Sequence, residues 1–177
     1  MGSMSIIEGN DLTLRYLTQA DLHAFTALVT DPLYGKFSPI GKLTEKVAAT
    51  LVNNITIHYP DNKYEFWVVV DKQDNQIAGF VGYHPIIFEN KLHNMYFVGF
   101  NTKYWGSRFP EIATQYACDY AFNKEQIPRL LAFVHPDDTA ALMCAQIMEA
   151  KFEREAKVFG ATLFLFSIDK QDFKKLN

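Results

Sequence analysis

A short segment of this chain, residues 103–111, combines residue types that are suited to binding an anion. It reads Lys-Tyr-Trp-Gly-Ser-Arg-Phe-Pro-Glu and follows an apolar run at residues 95–100 that is typical of a buried strand. Residues 110–122 come next and have the apolar spacing of an amphipathic helix. The first turn of a helix has unpaired N–H groups and a partial positive charge, and both stabilise a bound anion. The segment therefore predicts a phosphate-binding turn between a strand and a helix.

Two side chains in this turn, Arg108 and Pro110, affect how well it would hold a phosphate. Arg108 has a Cβ and a long side chain where a glycine would leave room, so it could crowd the ligand. Its guanidinium could instead pair with a phosphate oxygen directly. Pro110 removes one N–H donor, although proline is well tolerated at the first position of a helix. At this point Arg108 can be interpreted either as an obstruction or as a phosphate ligand.

The composition predicts a single packed domain and argues against several classes of protein. Hydrophobic residues make up 49% of the 177 residues and charged residues 21%, which is typical of a globular domain. A formal net charge of −3 argues against a nucleic-acid-binding surface. No apolar run is long enough to span a membrane and no signal peptide is recognisable, so the cytoplasm is the expected location. Residues 1–3 resemble a cloning remnant before Met4, so the domain is expected to cover residues 4–177.

The aromatic residues and the cysteines each have a structural interpretation. Aromatic residues make up 15% of the chain, including 15 Phe, and predict either a large aromatic core or an aromatic-lined pocket or interface. Phe37, Tyr83 and Phe88 are candidates for such a pocket, and core packing would explain them equally well. Cys118 and Cys144 lack the spacing of a metal site and fit a reduced compartment. Cys144 is expected to be a small buried hydrophobic residue rather than a nucleophile.

Apolar spacing and turn signals together predict a mixed α/β sheet with helices on both faces. A capping box at residues 18–21 opens the first helix, and Thr44 caps the second. Residues 59–62 should break the chain, and residues 88–92 should form a connection. The predicted helices cover residues 18–29, 44–58 and 110–122, and a last helix that Asp137 or Asp138 caps runs to about residue 150. The predicted strands cover residues 12–16, 65–71, 76–85, 95–100, 130–134, 152–158 and 161–168.

Several segments, in this order along the chain, resemble the Gcn5-related N-acetyltransferases (the GNAT family) in their ribosomal-protein-alanine N-acetyltransferase-like branch. The family's pyrophosphate loop has the pattern Gln/Arg-x-x-Gly-x-Gly/Ala. Lys103 falls on the Gln/Arg position, Gly106 on the first glycine and Arg108 on the second Gly/Ala position. The other segments that resemble the branch are residues 12–15, 18–22, 77–82, 104–106, 129–140 and 150–155. The resemblance extends over about residues 11–170.

The resemblance implies a GNAT-like acyl-CoA N-acyltransferase fold and transfer of an acetyl group from acetyl-CoA to a primary amine, on a protein N-terminus or a small molecule. In this family the pantetheine arm pairs with the edge of the strand that corresponds to residues 95–101. That strand is expected to be parallel to the strand at residues 130–134 and to splay away from it at its carboxyl end. A backbone N–H near Phe97 or Val98 is expected to polarise the thioester carbonyl. The implied acetyl-CoA-binding residues are Phe97, Val98, Gly99, Phe100, Asn101, Lys103, Gly106, Ser107, Arg108, Phe109, Glu111 and Asp138.

The role of Gly99 inside the predicted strand has two interpretations. A strand-interior glycine often marks a β-bulge, which would open the sheet edge for the cofactor. Ordinary tight packing against a bulky neighbour explains the glycine equally well.

The proton acceptor for the amine is sought near the start of the same strand. Members of this branch often carry a glutamate there, whereas this chain has Met95. Glu89 and His93 flank the strand and are the predicted general bases, and His84 is a further candidate. No zinc-ligand spacing, catalytic triad or dinucleotide-binding glycine motif is present, so no metal site is predicted.

Departures from the branch leave a second function open. Asp138 and Ala141 stand where the branch often has Asn and Ser, and Lys151 stands where it has a glycine. Asp138 is expected mainly to cap the following helix. Together with Arg108 and Met95, these changes support the alternative of a GNAT-like domain that has lost catalysis and serves as a binding or interaction module. The sequence identifies neither the acceptor nor the oligomeric state.

Overall fold

The computed structural model describes residues 5–58 and 65–175. Met4 and the break predicted at residues 59–62 lie outside this part of the chain. Within it, eight strands form one sheet in the order β1-β2-β3-β4-β5-β6-β8-β7. The strands are β1 (Ser5–Glu8), β2 (Leu12–Tyr16), β3 (Glu65–Asp71), β4 (Gln76–Phe88), β5 (Lys91–Phe100), β6 (Arg129–Val134), β7 (Lys151–Val158) and β8 (Ala161–Asp169). The helices are α1 (Leu22–Val29), α2 (Pro32–Phe37), α3 (Glu45–His58), α4 (Phe109–Asp119) and α5 (Thr139–Ile147).

The predicted helix starts at residues 18–21 and at Thr44 are confirmed by their side-chain hydrogen bonds. The Thr18 backbone N–H donates to the Asp21 carboxylate at 2.8 Å, and Arg15 donates two further bonds of 2.8 Å to the same carboxylate. The Thr44 hydroxyl accepts from the Val47 N–H at 3.3 Å. The bonds from the Thr18 and Val47 N–H groups satisfy backbone donors that the first turn of a helix leaves without a partner.

The hairpin between β4 and β5 is longer than predicted, and the connection predicted at residues 88–92 is wrong. β4 continues to Phe88 and β5 begins at Lys91, so the turn consists of Glu89 and Asn90 alone. Their φ values are 50° and 61°, as a two-residue turn of type I′ requires at both central positions. Glutamate is uncommon at positive φ, so the residue types did not reveal this turn.

The neighbouring strands β5 and β6 are parallel and separate after a short contact, as predicted. Their pairing consists of Asn94 with Leu130 and Met95 with Leu131. Beyond these pairs β5 continues to Phe100 without a partner on that edge among the described residues, while β6 pairs with β8 on its other side. The divergence leaves a V-shaped gap at the carboxyl ends of two strands, where ligands of α/β sheets commonly bind.

The core lies on both faces of the sheet. On one face, α4 packs against a cluster that includes Leu14, Trp67 and Phe122. On the other face, α1 and α3 cover a cluster that includes Phe25 and Val52. No helix in residues 5–58 or 65–175 is long and apolar enough to cross a membrane.

Candidate active site

A cavity of about 840 Å³ lies where β5 and β6 diverge. Residues 95–100 of β5 and residues 132–134 of β6 contribute to its walls. On one side the cavity reaches α1, α2 and α3, and on the other it reaches α4 and α5. Its volume lies within the roughly 300–1,000 Å³ that is usual for small-molecule sites. We call the part near α4 and α5 the donor end, and the part near α1, α2 and α3 the acceptor end, after the substrates that the family resemblance leads us to expect there.

The predicted phosphate turn lies at the donor end. Gly106 has a φ of 79°, a left-handed conformation that a side chain would strain, and it lets the chain turn into α4. Ser107 and Arg108 both line the cavity. The Arg108 side chain is 75% exposed and lies 3.8 Å from the Glu111 carboxylate, so its guanidinium is accessible to an anion. This placement favours Arg108 as a phosphate ligand over Arg108 as an obstruction.

Two of the N–H groups expected to bind phosphate already have partners within the turn. The Ser107 N–H donates to the Tyr104 carbonyl at 3.1 Å, and the Phe109 N–H donates to the Ser107 hydroxyl at 3.3 Å. The Ser107 hydroxyl in turn donates to the Tyr104 carbonyl at 2.6 Å. Pro110 has no N–H, so the backbone donors that remain in this first turn are those of Arg108 and Glu111. Fewer backbone N–H groups are therefore available to an anion here than the family pattern implies, and the Arg108 guanidinium is the exposed donor beside them.

Trp105, which the sequence indicated only as part of a family signature, attaches the turn to the end of β5. The Trp105 indole N–H donates to the Phe100 carbonyl at 3.0 Å. The Trp105 ring also lies 6.1 Å from the Phe37 ring of α2, and both residues line the cavity. Trp105 therefore links the donor end to the acceptor end.

Lys103, Phe109 and Asn101 were predicted to contact the cofactor, and the structure does not bring them to the cavity. The Lys103 ammonium lies 3.3 Å from the Asp74 carboxylate, in the turn between β3 and β4. The Phe109 ring stacks on Tyr104 at 5.1 Å. The Asn101 side chain accepts from the Lys103 N–H at 3.1 Å and so stabilises the turn that follows β5. These three residues organise the backbone around the site.

Gly99 is explained by close packing, and no bulge is present in the pairing of β4 with β5. The register between these strands runs without a shift from Gly79–Phe100 to Phe88–Lys91. A Cβ at Gly99 would come within 2.5 Å of the Phe80 ring and 2.8 Å of the Tyr34 ring. The glycine thus lets two aromatic side chains reach β5. Phe97, Val98 and Phe100 also line the cavity, and the backbone edge there faces the gap.

Of the three predicted proton acceptors, the structure places only His84 on the cavity wall. Glu89 lies at the hairpin tip, where its carboxylate accepts a 2.6 Å hydrogen bond from Arg154. His93 lies on β5 opposite Ile86, with its ring 6.2 Å from Phe88, and does not line the cavity. Glu89 and His93 were predicted as general bases because they flank a strand expected to start at Met95. Since β5 begins at Lys91, the longer hairpin places both residues away from the gap.

A family model for the acetyltransferase (GNAT) domain matches residues 11–150. The chain belongs to the GNAT acetyltransferase family. The protein is accordingly an N-acetyltransferase, which confirms the prediction of an enzyme.

Similarity to known proteins extends over nearly the whole chain. The uncharacterized N-acetyltransferase p20 of Bacillus licheniformis is 24% identical over 173 residues, which cover 92% of this chain and 94% of that protein. The ribosomal-protein-S5-alanine acetyltransferase of Vibrio fischeri superposes with a TM-score of 0.78 at 19% identity, covering 97% of this chain and 99% of that one. The spermidine N-acetyltransferase of Vibrio cholerae, in complex with CoA and spermine, has a TM-score of 0.77 at 18% identity, with coverages of 92% and 98%. These structures confirm the predicted fold.

A hydrogen-bonded group that the sequence analysis did not predict lies on the donor side of this GNAT domain. The Thr114 hydroxyl donates to the Pro110 carbonyl at 2.6 Å, so the Tyr96 hydroxyl, 2.7 Å away, must donate to Thr114. The Cys144 sulfur lies 3.6 Å from the same oxygen. Burial raises the pKa of the Cys144 thiol, which disfavours the thiolate form. The expectation of a small buried residue thus agrees with its partly buried position on α5.

The remaining sequence candidates in this GNAT domain divide between the cavity and the core. Asp138 lines the cavity and caps α5 by accepting from the Ala141 N–H at 3.0 Å, the role expected from its position. Burial raises the pKa of its carboxyl group. Phe37 lines the cavity, whereas Tyr83 belongs to the core beneath α4 and Phe88 packs on Phe133 at 5.2 Å.

Proposed function

We propose that this protein transfers an acetyl group from acetyl-CoA to a primary amine. The observation that carries the proposal is the open edge of β5, which faces a cavity that continues to the Arg108 side chain and the first turn of α4. An extended pantetheine arm fits an unpaired strand edge because its amides can bond to the backbone groups exposed there. A guanidinium and a helix N-terminus fit the pyrophosphate. The Vibrio cholerae neighbour, described as a complex with CoA, supports this choice of donor.

The donor-binding residues that we propose are those of the predicted set that line the cavity. On β5 these are Phe97, Val98, Gly99 and Phe100, whose backbone borders the gap. In the turn and at the helix starts they are Gly106, Ser107, Arg108, Glu111 and Asp138. A backbone N–H of β5 directed at the thioester oxygen would stabilise the negative charge that develops during acyl transfer.

We assign the proton acceptor to His84 on the basis of its place on the cavity wall, where its ring lies 5.7 Å from that of Phe97. Its Nδ1 lies 3.0 Å from the Pro85 carbonyl, and because a carbonyl only accepts, Nδ1 carries the proton. The unprotonated nitrogen is then Nε2, which can take a proton from the attacking amine. His135 also lines the cavity, but its Nδ1 accepts from the Asp137 N–H at 3.1 Å. We assign His84 rather than His135 because His84 pairs with Met95 of β5, beside the strand edge where the thioester is proposed to lie.

The reaction follows from these positions. The amine nitrogen forms a bond to the acetyl carbon, the bond from that carbon to the CoA sulfur breaks, and the proton leaves the nitrogen towards His84. CoA departs as a thiolate, which is protonated afterwards. The acceptor end supplies the amine from the face of the sheet that α1 and α3 cover.

The experiment that tests the proposal measures acetyl-CoA binding and CoA release separately. Calorimetric titration of the full chain with acetyl-CoA should show saturable binding, and adding a primary amine should release free thiol that a thiol reagent detects. Binding without release for a broad panel of amines would favour the non-catalytic module. Absence of binding at millimolar acetyl-CoA would contradict the proposed donor.

A further inference from the structure

The acceptor end of the cavity is lined mainly by apolar and aromatic side chains. The rings of Phe66 and Phe80 lie 5.2 Å apart, and Phe97 lies 5.3 Å from Phe66. Phe25 packs behind them in the core, 5.6 Å from Phe80, and is itself fully buried. The helix α3 and the loop before it add further aliphatic walls, from Leu43, Leu51 and Ile55. Such a wall binds ligands by removing apolar surface from water.

Carboxylates line this cavity only at its donor end, as far as the described residues show. They are Glu111, which lies 3.8 Å from the Arg108 guanidinium, and Asp138, which caps α5. The polar side chains at the acceptor end are those of Tyr34, Ser38, Asn54 and His84. A polyamine would bring additional ammonium groups to this wall, and each would lose its hydration without gaining a carboxylate.

The same wall is poorly suited to a peptide N-terminus. A bound peptide brings an N–H and a carbonyl with each residue, and each of these groups requires a partner when it is buried. The acceptor end presents mostly side-chain carbon, since Tyr34, Ser38, Asn54 and His84 are its only polar side chains among the described residues. A compact amine with an apolar body has a single polar group, which would lie beside His84.

We propose that the acceptor is a small primary monoamine with an aromatic or branched aliphatic body. This inference rests on the proposed acetyl transfer and names the class of acceptor for the same site. The aromatic wall holds the body of the amine, and His84 lies beside its nitrogen.

An apolar acceptor site also accounts for the methionine at the position where the family branch often has a glutamate. Met95 lines the cavity and pairs with His84 across β4 and β5. An ammonium group in apolar surroundings loses hydration, and this loss favours its neutral form. Only the neutral amine can attack the thioester. The apolar wall thus assists the deprotonation that a glutamate would otherwise perform.

The test compares four acceptors at fixed acetyl-CoA: 2-phenylethylamine, methylamine, spermidine and an alanine-terminated tripeptide. Because apolar contacts of one methylene already discriminate about tenfold or more, kcat/KM for 2-phenylethylamine should exceed that for methylamine by at least about 100-fold. It should also exceed the values for spermidine and for the tripeptide. Faster turnover of spermidine or the tripeptide would overturn the inference while leaving acetyl transfer intact. Binding of acetyl-CoA with no release of CoA for any acceptor would instead contradict the proposed function itself.

A donor with a longer acyl chain provides the second arm of the test. If octanoyl-CoA binds more tightly and reacts faster than acetyl-CoA, the apolar space belongs to the donor and the inference is wrong. We expect acetyl-CoA to be the better donor.

A pair of substitutions on α3 locates the specificity. Leu51→Glu places a carboxylate on the cavity wall and should raise the ratio of spermidine turnover to 2-phenylethylamine turnover about tenfold or more. The control is Val47→Glu, one helical turn earlier at a 48% exposed position, which should leave this ratio unchanged. Equal ratios in the two variants would overturn the placement of the acceptor. If Leu51→Glu fails to fold, Leu51→Ala should lower kcat/KM for 2-phenylethylamine relative to methylamine.

Discussion

At the scale of single residues, the assignment of His84 as proton acceptor is the most direct point to test. His84→Ala should lower kcat about 100-fold or more and leave the dissociation constant of acetyl-CoA unchanged, because the side chain is assigned to the amine. The measurement is steady-state kinetics across pH together with calorimetric binding.

His93→Ala and Glu89→Gln are the matched controls on the same hairpin, since neither residue lines the cavity. Both variants should retain nearly full activity. A loss in either of them as large as that in His84→Ala would return the role to the residue predicted from the sequence.

Glu65 is a residue whose effect should appear in stability. It is buried at the start of β3, and its Oε2 has no hydrogen-bond partner among the described residues. Burial, together with the charge of Glu125, raises the pKa of its carboxyl group to about 7. Between pH 4.5 and 7 the folded chain retains a proton that the unfolded chain releases, so the free energy of unfolding should fall as pH rises, by up to about 3 kcal/mol.

Glu65→Gln removes this titration and should make the fall in stability over the same window markedly smaller. The expected gain is therefore largest at pH 8 and absent near pH 4.5, and urea unfolding at several pH values measures it. Glu155→Gln, at an exposed position of β7, is the control and should leave the wild-type pH dependence in place. A Glu65→Gln variant with that same dependence would show that another group is responsible.

At the scale of elements, two cationic side chains near the turn into α4 should differ in their effect on acetyl-CoA binding. Arg108→Gln keeps a side chain of similar size and removes the charge, so acetyl-CoA should bind about tenfold more weakly. Lys103→Ala should have little effect, because Lys103 pairs with Asp74 away from the cavity. Titration calorimetry measures both. Tighter binding by Arg108→Gly than by the wild type would instead identify Arg108 as an obstruction.

The contact between β5 and the aromatic group is a second element-scale test. Gly99→Ala should lower the free energy of unfolding by about 1–3 kcal/mol, because the new Cβ would meet the Phe80 ring at 2.5 Å. Urea unfolding at constant pH measures the loss. In a Phe80→Leu background the same substitution should cost less, since the smaller side chain relieves the overlap. An equal cost in both backgrounds would show that the ring contact is not the cause.

At the scale of the whole molecule, donor binding should stabilise the fold by linkage. Acetyl-CoA at about 100 times its dissociation constant should add about 2.7 kcal/mol to the free energy of unfolding. Hydrogen exchange should show protection at residues 96–100 of β5, whose outer edge has no strand partner in the described pairing, and little change in β1. Protection spread evenly over the sheet would contradict binding in the gap.

The features that were predictable from the amino-acid sequence are those with strong local signals. The capping box at residues 18–21, the cap at Thr44 and the turn at Gly106 depend on neighbours a few residues away, so their residue types indicate them directly. The order of elements followed from apolar spacing, and the resemblance to the GNAT family supplied the parallel, splayed pair of strands. Short elements with weak signals were missed, among them β1 and the six-residue helix α2, which contains a glycine.

Which side chains meet in the cavity was decided only by the tertiary structure. His84 lies on the wall because the long β4–β5 register pairs it with Met95, whereas His93 is carried towards the hairpin tip. Trp105 and Phe37 come together from segments far apart in the chain, as do the rings of the acceptor end. Pairing register determines on which face of the sheet each strand residue lies and which residue of the neighbouring strand it faces, and it depends on contacts between distant segments. Spacing along the chain therefore located the turn into α4, but it did not select His84 from the three candidate bases and did not show which apolar side chains line the cavity.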